Sequence, residues 1–275
     1  MEERPRAYWK GRAPCMILLT NVSLTYESTD GTEVHALDGI DLQVAENEFV
    51  VIVGPSGCGK STLLKLIVGL LRPTRGSVAY RGEPVEDTIQ EVGMVYQSPV
   101  LLPWRTVLGN VLLPIEILRR DPKAYAPEAA KLLEMAGLSA FARKTPRELS
   151  GGMQQRAALC RALITDPALL LMDEPFAALD ALTRDEMGQE LSRLWEERRK
   201  TVVFVTHSIP EAVLLGDRVV VMSPRPGRIV RNIPIELPRP RASVKQLGPA
   251  FAEYVETLRE IIYSFKRERD AAAAV

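Results

Sequence analysis

The run Gly54-Pro55-Ser56-Gly57-Cys58-Gly59-Lys60-Ser61-Thr62 fits G-x-x-x-x-G-K-[ST] at every fixed position, and it constrains the fold more than any other stretch of this 275-residue chain. It follows residues 49–53 (FVVIV), a continuous apolar run of the kind that forms a strand buried on both faces. A helical pattern starts at Lys60. Strand, glycine-rich loop and helix in this order point backbone N–H groups at a phosphate and add the positive end of a helix dipole. Lys60 is placed to reach the β- and γ-phosphates, and the Ser61 hydroxyl to ligate Mg²⁺. Cys58 sits at a free position and reads as a small filler. The loop alone specifies a nucleoside triphosphate and leaves kinases, GTPases, helicases and transporters open.

Bulk properties narrow the field a little. The hydrophobic share of 46% is ample for a core, and Lys plus Arg and Asp plus Glu both number 35. That balance gives no electrostatic reason to expect a nucleic-acid partner. Cys15, Cys58 and Cys160 are too few and too scattered for a disulfide framework or zinc site, which suits a reducing compartment. No apolar run approaches the roughly 20 residues of a membrane span, and the basic N-terminus lacks the apolar segment of a secretion signal.

Along the chain, residues 17–44 alternate as strand, turn (Ser28 to Gly31) and strand, and Asn47 marks a second turn. Short strands are expected near residues 77–81 and 92–96. From about Pro103 to Leu149 the pattern turns helical. Strand and helix then alternate through 169–172, 180–197, 202–206, 210–214 and 219–222. This implies an α/β fold of parallel strands with crossover helices. The strand Leu169-Leu170-Leu171-Met172 ends in Asp173-Glu174, at the sheet edge where ligands bind. Asp173 is placed to hold Mg²⁺ through water, and Glu174 to take a proton from an attacking water. Leu149-Ser150-Gly151-Gly152-Met153-Gln154-Gln155 offers a second anion cradle: Ser150 as helix cap, with two glycines exposing backbone N–H groups.

At this last motif the chain resembles the ABC ATPase family, whose signature reads LSGGQ; Met153 stands in place of the usual Gln. The resemblance runs over roughly residues 17–235 and includes further motifs in the family's order. Gln97 matches the Q-loop glutamine, Asp180 the D-loop, His207 the switch histidine and Tyr26 the aromatic residue that stacks on adenine. A structural role also fits Tyr26 and His207 taken singly, and His35 has no motif around it. The resemblance implies a P-loop NTPase of the ABC type: a RecA-like parallel-sheet core, an N-terminal antiparallel β subdomain and an inserted helical subdomain. The expected organisation is a flexible arm over 1–15, an ABC ATPase domain over 16–235 with its helical subdomain at about 103–160, and a C-terminal extension over 236–275. Met1 and Met16 both stand as candidate starts.

The resemblance further implies ATP and Mg²⁺ as cofactors. Gly54 to Thr62, Tyr26, Ser150, Gly151, Gly152 and Asp180 would surround the nucleotide, Ser61, Gln97 and Asp173 the metal, and Lys60, Gln97, Glu174 and His207 would serve catalysis. It implies a head-to-tail dimer of two copies. ATP would lie between the phosphate loop of one and Ser150-Gly151-Gly152 of the other, with hydrolysis releasing the halves. Partners would be a separate transmembrane permease and an extracytoplasmic substrate-binding protein, with this chain peripheral on the cytoplasmic face of the inner membrane. The stretches Leu101–Val107, Glu174–Asp180 and Met222–Ile229 look like the nitrate, sulfonate and taurine importer group. The competing class is an ABC ATPase acting on nucleic acid or ribosomes. It is disfavoured by the lack of a long coiled coil or a second cassette. Trp104, in the apolar cluster Leu101-Leu102-Pro103-Trp104, is expected in or beside the groove that receives a permease helix, the alternative being a buried anchor. Residues 237–241 should depart from the compact core as an extended segment because of their prolines, and Phe251, Tyr254, Val255, Leu258, Ile261, Ile262 and Phe265 recur as one face of a helix packing on its own subunit.

Overall fold

A computed structural model describes residues 14–27, 31–241 and 248–273. The arm expected over 1–15 lies outside these up to residue 13, as do residues 28–30 of the expected turn. Two long strands, β1 (Cys15–Glu27) and β2 (Glu33–Ala45), pair antiparallel and are joined by β4 (Arg75–Tyr80) and the short β5 (Glu83–Pro84) in a four-stranded sheet ordered β2-β1-β4-β5. A second sheet holds β3 (Phe49–Val53), β6 (Val92–Val95), β7 (Leu169–Asp173), β8 (Thr201–Val205), β9 (Arg218–Met222) and β10 (Ile229–Pro234), ordered β10-β9-β3-β8-β7-β6. Its pairings are parallel except β10 on β9.

Every residue of β3, β7, β8 and β9 is buried. Their side chains alternate between two cores, as the two-residue period of a strand requires. Phe49, Val51, Val53, Leu170, Met172, Val202 and Phe204 pack on one face of the sheet. Val50, Ile52, Leu169, Leu171, Val203 and Val205 pack on the other, against α1 (Lys60–Ile67) and the antiparallel sheet. Each such side chain contributes roughly 1.5–3 kcal/mol by leaving water, which explains why uninterrupted apolar runs mark the sheet centre. Asn47 takes the expected turn with φ 61°.

A third core belongs to helices: α2 (Val107–Val111), α3 (Leu113–Ile117), α4 (Pro122–Met135) and α5 (Gly151–Leu163). Helix α5 faces both ways, giving Ala157 and Cys160 to this core and Leu159 and Ala162 to the sheet. Helices α6 (Ala181–Arg198), α7 (Ile209–Leu215) and α8 (Gly248–Ala273) complete the main core. In α8, Phe251, Val255 and Leu258 are buried, and Tyr254, Ile261, Ile262 and Phe265 pack beside them, as the helical spacing predicts.

Two elements differ from expectation. Strand β10 is absent from the sequence reading because its residues are half-exposed and do not alternate. The segment after it does not leave the compact core. Ile235 and Leu237 are buried, and Arg241 is 2% exposed. Arg241 donates to the carbonyls of Val213 (3.1 Å) and Gly216 (2.6 Å) at the end of α7, and of Ile235 (2.9 Å) and Leu237 (3.0 Å). A cation there satisfies the unpaired carbonyls of a helix C-terminus and its negative dipole end. Burial pulls the Arg241 pKa down to about 10.

Candidate functional site

The phosphate loop leaves β3 at the sheet centre and feeds α1. Gly59 has φ 102°, and a Cβ there would lie 2.7 Å from Leu37 Cδ2, so glycine is required. A Cβ on Gly54 would meet the Met222 carbonyl at 2.8 Å. Cys58 is buried against this loop, and burial pushes its thiol up; the thiolate is disfavoured, in keeping with a filler. The Lys60 ammonium is buried and donates to the carbonyls of Gly54 (2.8 Å) and Pro55 (2.9 Å). Lys60 thus spans the loop's own backbone, poised over the concavity in which a phosphate would sit.

Strands β7 and β8 end side by side, with Asp173 opposite Val205. Asp173 is 7% exposed, and burial is the main force pushing its carboxyl up, partly offset by a hydrogen bond from Ser61. Its Oδ1 is buried and has no hydrogen-bond partner. An orphaned carboxylate oxygen beside the Ser61 hydroxyl fits a hard cation carried in with phosphates, which needs only one or two protein carboxylates. Glu174 adopts φ 46°, unusual for a side chain of its size. Its N–H bonds the Val205 carbonyl at 2.9 Å, and its Oε2 lies 2.8 Å from His207 Nδ1. Lys60, Ser61, Asp173, Glu174 and His207 therefore sit at the C-terminal ends of the three central strands.

The other candidates take distinct positions. Gln97 is exposed on the loop just past β6, whose Val95 pairs with Met172 beside the acidic strand end. Tyr26 closes β1, half-exposed, with its hydroxyl 3.2 Å from Thr62 Oγ1 in the first turn of α1. It borders a hollow also lined by Ser23, Thr25, His35 and Arg75. His35 bonds Thr25 there at 2.9 Å. Ser150 caps α5, accepting from the Met153 N–H at 3.3 Å. Gly151 has open space around it, and the nearest neighbours to a Cβ on Gly152 are Leu179 and the Ala178 carbonyl. The second anion cradle thus abuts the Ala177–Asp180 loop and not the phosphate loop of its own chain. Asp180 caps α6, accepting from the Thr183 N–H (3.0 Å) and hydroxyl (2.7 Å), and these bonds hold its carboxyl below the usual range.

Residues 37–177 match the family model described as ABC transporter. A protein of Methanocaldococcus jannaschii described as an uncharacterized ABC transporter ATP-binding protein is 46% identical over 263 residues, 95% of this chain and 97% of that protein. The chain belongs to the ABC transporter family.

It is an ATPase cassette of that family. The taurine import ATP-binding protein TauB of Rhizobium johnstonii is 44% identical over 94% of this chain and all of that protein. Among solved structures, a dimeric ATP-binding cassette in a post-hydrolysis state with ADP and Pi superposes with a TM-score of 0.72 at 37% identity, over 80% of this chain and 99% of that one. No helix among the described residues is long and apolar enough to cross a membrane.

Three polar residues of the cassette were given no individual role in the sequence, although they fix the loops around the site. Gln155, buried on α5, donates to the Tyr96 carbonyl at 2.9 Å and so ties the signature helix to the Gln97 loop. Arg161 does the same at Pro99 (2.9 Å) and Val100 (2.7 Å). Asn110, fully buried, bonds both backbone groups of Leu102 (2.7 and 3.1 Å) and the Thr106 carbonyl (3.0 Å). That clamp turns the chain so that Trp104 stands 75% exposed, which excludes the buried anchor. Their polar side chains carry no sequence signal because each partner is a carbonyl or amide, present at every position.

Proposed function

We propose that this ABC cassette powers import of a small organic anion of the sulfonate class, with taurine the first candidate, through a separate permease. The site supports the following residue roles. The phosphate loop from Gly54 to Thr62 binds the ATP phosphates, with Lys60 exchanging its carbonyl contacts for the β- and γ-phosphates. Tyr26, fixed through Thr62, stacks on the adenine. Ser61, Asp173 and Gln97 would hold Mg²⁺, which neutralises charge on the phosphates when bound. Glu174 accepts a proton from the attacking water. With Nδ1 of His207 on Glu174, Nε2 is the ring nitrogen free to meet the γ-phosphate.

One observation carries the dimeric reading. The Ser150–Gly152 cradle has an N-terminal helix end and open space but no phosphate loop beside it in its own chain. A second copy, placed head to tail and bringing Asp180 to the same seam, supplies one and encloses ATP on both sides, excluding water. The cassette then lies peripherally on the cytoplasmic face of the membrane, held by the permease, with an extracytoplasmic substrate-binding protein delivering cargo. The exposed apolar group of Val100, Trp104 and Ile117 is the surface we assign to the permease. The taurine import names of similar proteins support the cargo class. We assign residues 16–235 to the ATPase domain, with the helical subdomain at about 103–160, and 236–275 to a C-terminal extension.

Glu174→Gln tests the reading. It should keep ATP binding, lose turnover and accumulate an ATP-bound dimer on gel filtration. A Ser150→Arg subunit mixed with a Lys60→Ala subunit should then regain activity, because one composite site of the mixed dimer is intact. Monomer alone with ATP and Mg²⁺, or near-normal hydrolysis by Glu174→Gln, would overturn the assignment. Cargo is read separately, as taurine-stimulated hydrolysis when the cassette, permease and binding protein encoded together are reconstituted in vesicles.

A further inference from the structure

We propose that Arg184 and Glu211 form a positioning pair that ties the Ala177–Asp180 loop to the loop carrying His207, so that a change at the dimer seam moves the catalytic histidine. The proposal rests on the catalytic reading of His207 given above. Thr206 precedes His207 and is 2% exposed. Its hydroxyl accepts from the Ser208 N–H at 2.9 Å and donates to Glu211 Oε2 at 2.6 Å, so one side chain clamps the residues on both sides of His207. The Glu211 N–H bonds the Ser208 hydroxyl at 3.4 Å, anchoring the same loop from the first turn of α7.

The second Glu211 oxygen faces Arg184 Nε at 3.6 Å, an ion pair beyond hydrogen-bond length. That nitrogen is buried and has no hydrogen-bond partner. Arg184 Nη2 donates to the Leu179 carbonyl at 3.0 Å, and Leu179 is the residue that meets Gly152 of the signature. A continuous chain of contacts thus runs from Gly152 through Leu179, Arg184, Glu211 and Thr206 to His207 and Glu174. The Glu211 side chain is 13% exposed, and burial pushes its carboxyl up while Thr206 and Arg184 hold it down. Joining α6 to α7 would not require a charge in so dry a place. The slack at 3.6 Å leaves room for the pair to close when the 177–180 loop is pressed by a partner.

The test uses the full chain with Arg184→Ala, Arg184→Lys, Glu211→Gln and the double variant Arg184→Ala/Glu211→Gln. Hydrolysis, affinity for a fluorescent non-hydrolysable ATP analogue, and melting temperature are measured on each. Arg184→Ala and Glu211→Gln should each lower kcat about tenfold or more, the scale of a small misplacement of a catalytic group. Analogue affinity should stay within about twofold. The double variant should be no slower than the worse single, because both remove one link. Arg184→Lys should recover part of kcat, since its ammonium can meet Glu211 but not Leu179 as well. A merely structural pair would lower the melting temperature and leave kcat per folded molecule unchanged, and that result would overturn the proposal. So would a double variant whose loss is the product of the two singles. His207→Ala runs alongside. If it hydrolyses normally, the catalytic reading of His207 fails and the pair's role with it. If it is inactive while Arg184→Ala is normal, the pair alone fails.

Discussion

The two anion cradles of this chain are built on opposite plans. The phosphate loop is closed and self-satisfied: Gly54 and Gly59 are hemmed in by Met222 and Leu37, and the Lys60 ammonium is occupied by two loop carbonyls. The signature cradle is open: Ser150 and Gly151 are exposed, and a Cβ on Gly151 would touch nothing. The first is preorganised to receive a ligand by exchange, contact for contact. The second, in the dimer proposed above, takes its facing surface from the other copy. Under the proposed dimer, binding and assembly rest on different cradles, and substitutions at each should separate them.

Lys60→Ala should have the largest effect. Loss of a charge-assisted contact of about 2 kcal/mol corresponds to roughly thirtyfold weaker ATP binding. Hydrolysis should fall further, because transition-state charge also goes unmet. Isothermal titration with ATP checks it, and unchanged affinity would break the contrast between the cradles.

Asp173→Asn addresses the closed cradle through pH. Burial raises the Asp173 pKa in the fold, so the folded state binds this proton more tightly than the unfolded chain. The associated stability is therefore present below the ordinary aspartate pKa of about 3.9 and lost as pH rises through the raised value. The asparagine variant lacks that loss. Without nucleotide, its melting temperature relative to the parent should be more favourable at about pH 7 than at about pH 4. ATP with Mg²⁺ should stabilise the parent and not the variant. A difference that does not change with pH would show that the carboxylate is not strained by its burial.

Ser150→Ala should give the smallest effect. It removes a helix cap worth about 1 kcal/mol at an exposed site, lowering the melting temperature slightly. ATP binding to the monomer should be unchanged. A fall in monomer affinity would mean that the two cradles communicate within one chain.

Legibility in the sequence followed the range of the interactions. Phe49–Val53 and Leu169–Asp173 could be read because burial on both faces of a sheet demands uninterrupted apolar residues. The phosphate loop could be read from its own fixed residues, and the Ser150 cap because its partner lies three residues away. Strand β10 could not, since its half-exposed residues record only one neighbour. The positive φ of Glu174 was equally invisible, being imposed by the Val205 carbonyl some thirty residues away. Gln155, Asn110 and Arg241 act on backbone groups, so no complementary side chain announced them. Tyr26 was legible as the aromatic residue of the family's adenine site, whereas its hydroxyl contact with Thr62 in the first turn of α1 was not. Gln97 remained an isolated exposed side chain whose anchor, the Gln155 bond, holds its neighbour.

The reach of the main core has a consequence for biosynthesis. Phe49 and Leu258 belong to one cluster, and Arg241 closes the end of α7 from a segment made later. A nascent chain released from the ribosome tunnel in order therefore has its nucleotide loop long before it can finish the sheet face beneath it. Contacts of such wide sequence separation close slowly, and until α8 emerges the apolar face it covers is open to whatever binds oily surfaces. Chaperone capture of stalled chains should thus depend sharply on whether residues 251–258 have been translated, which makes helix α8 the gatekeeper of the chain's own quality control.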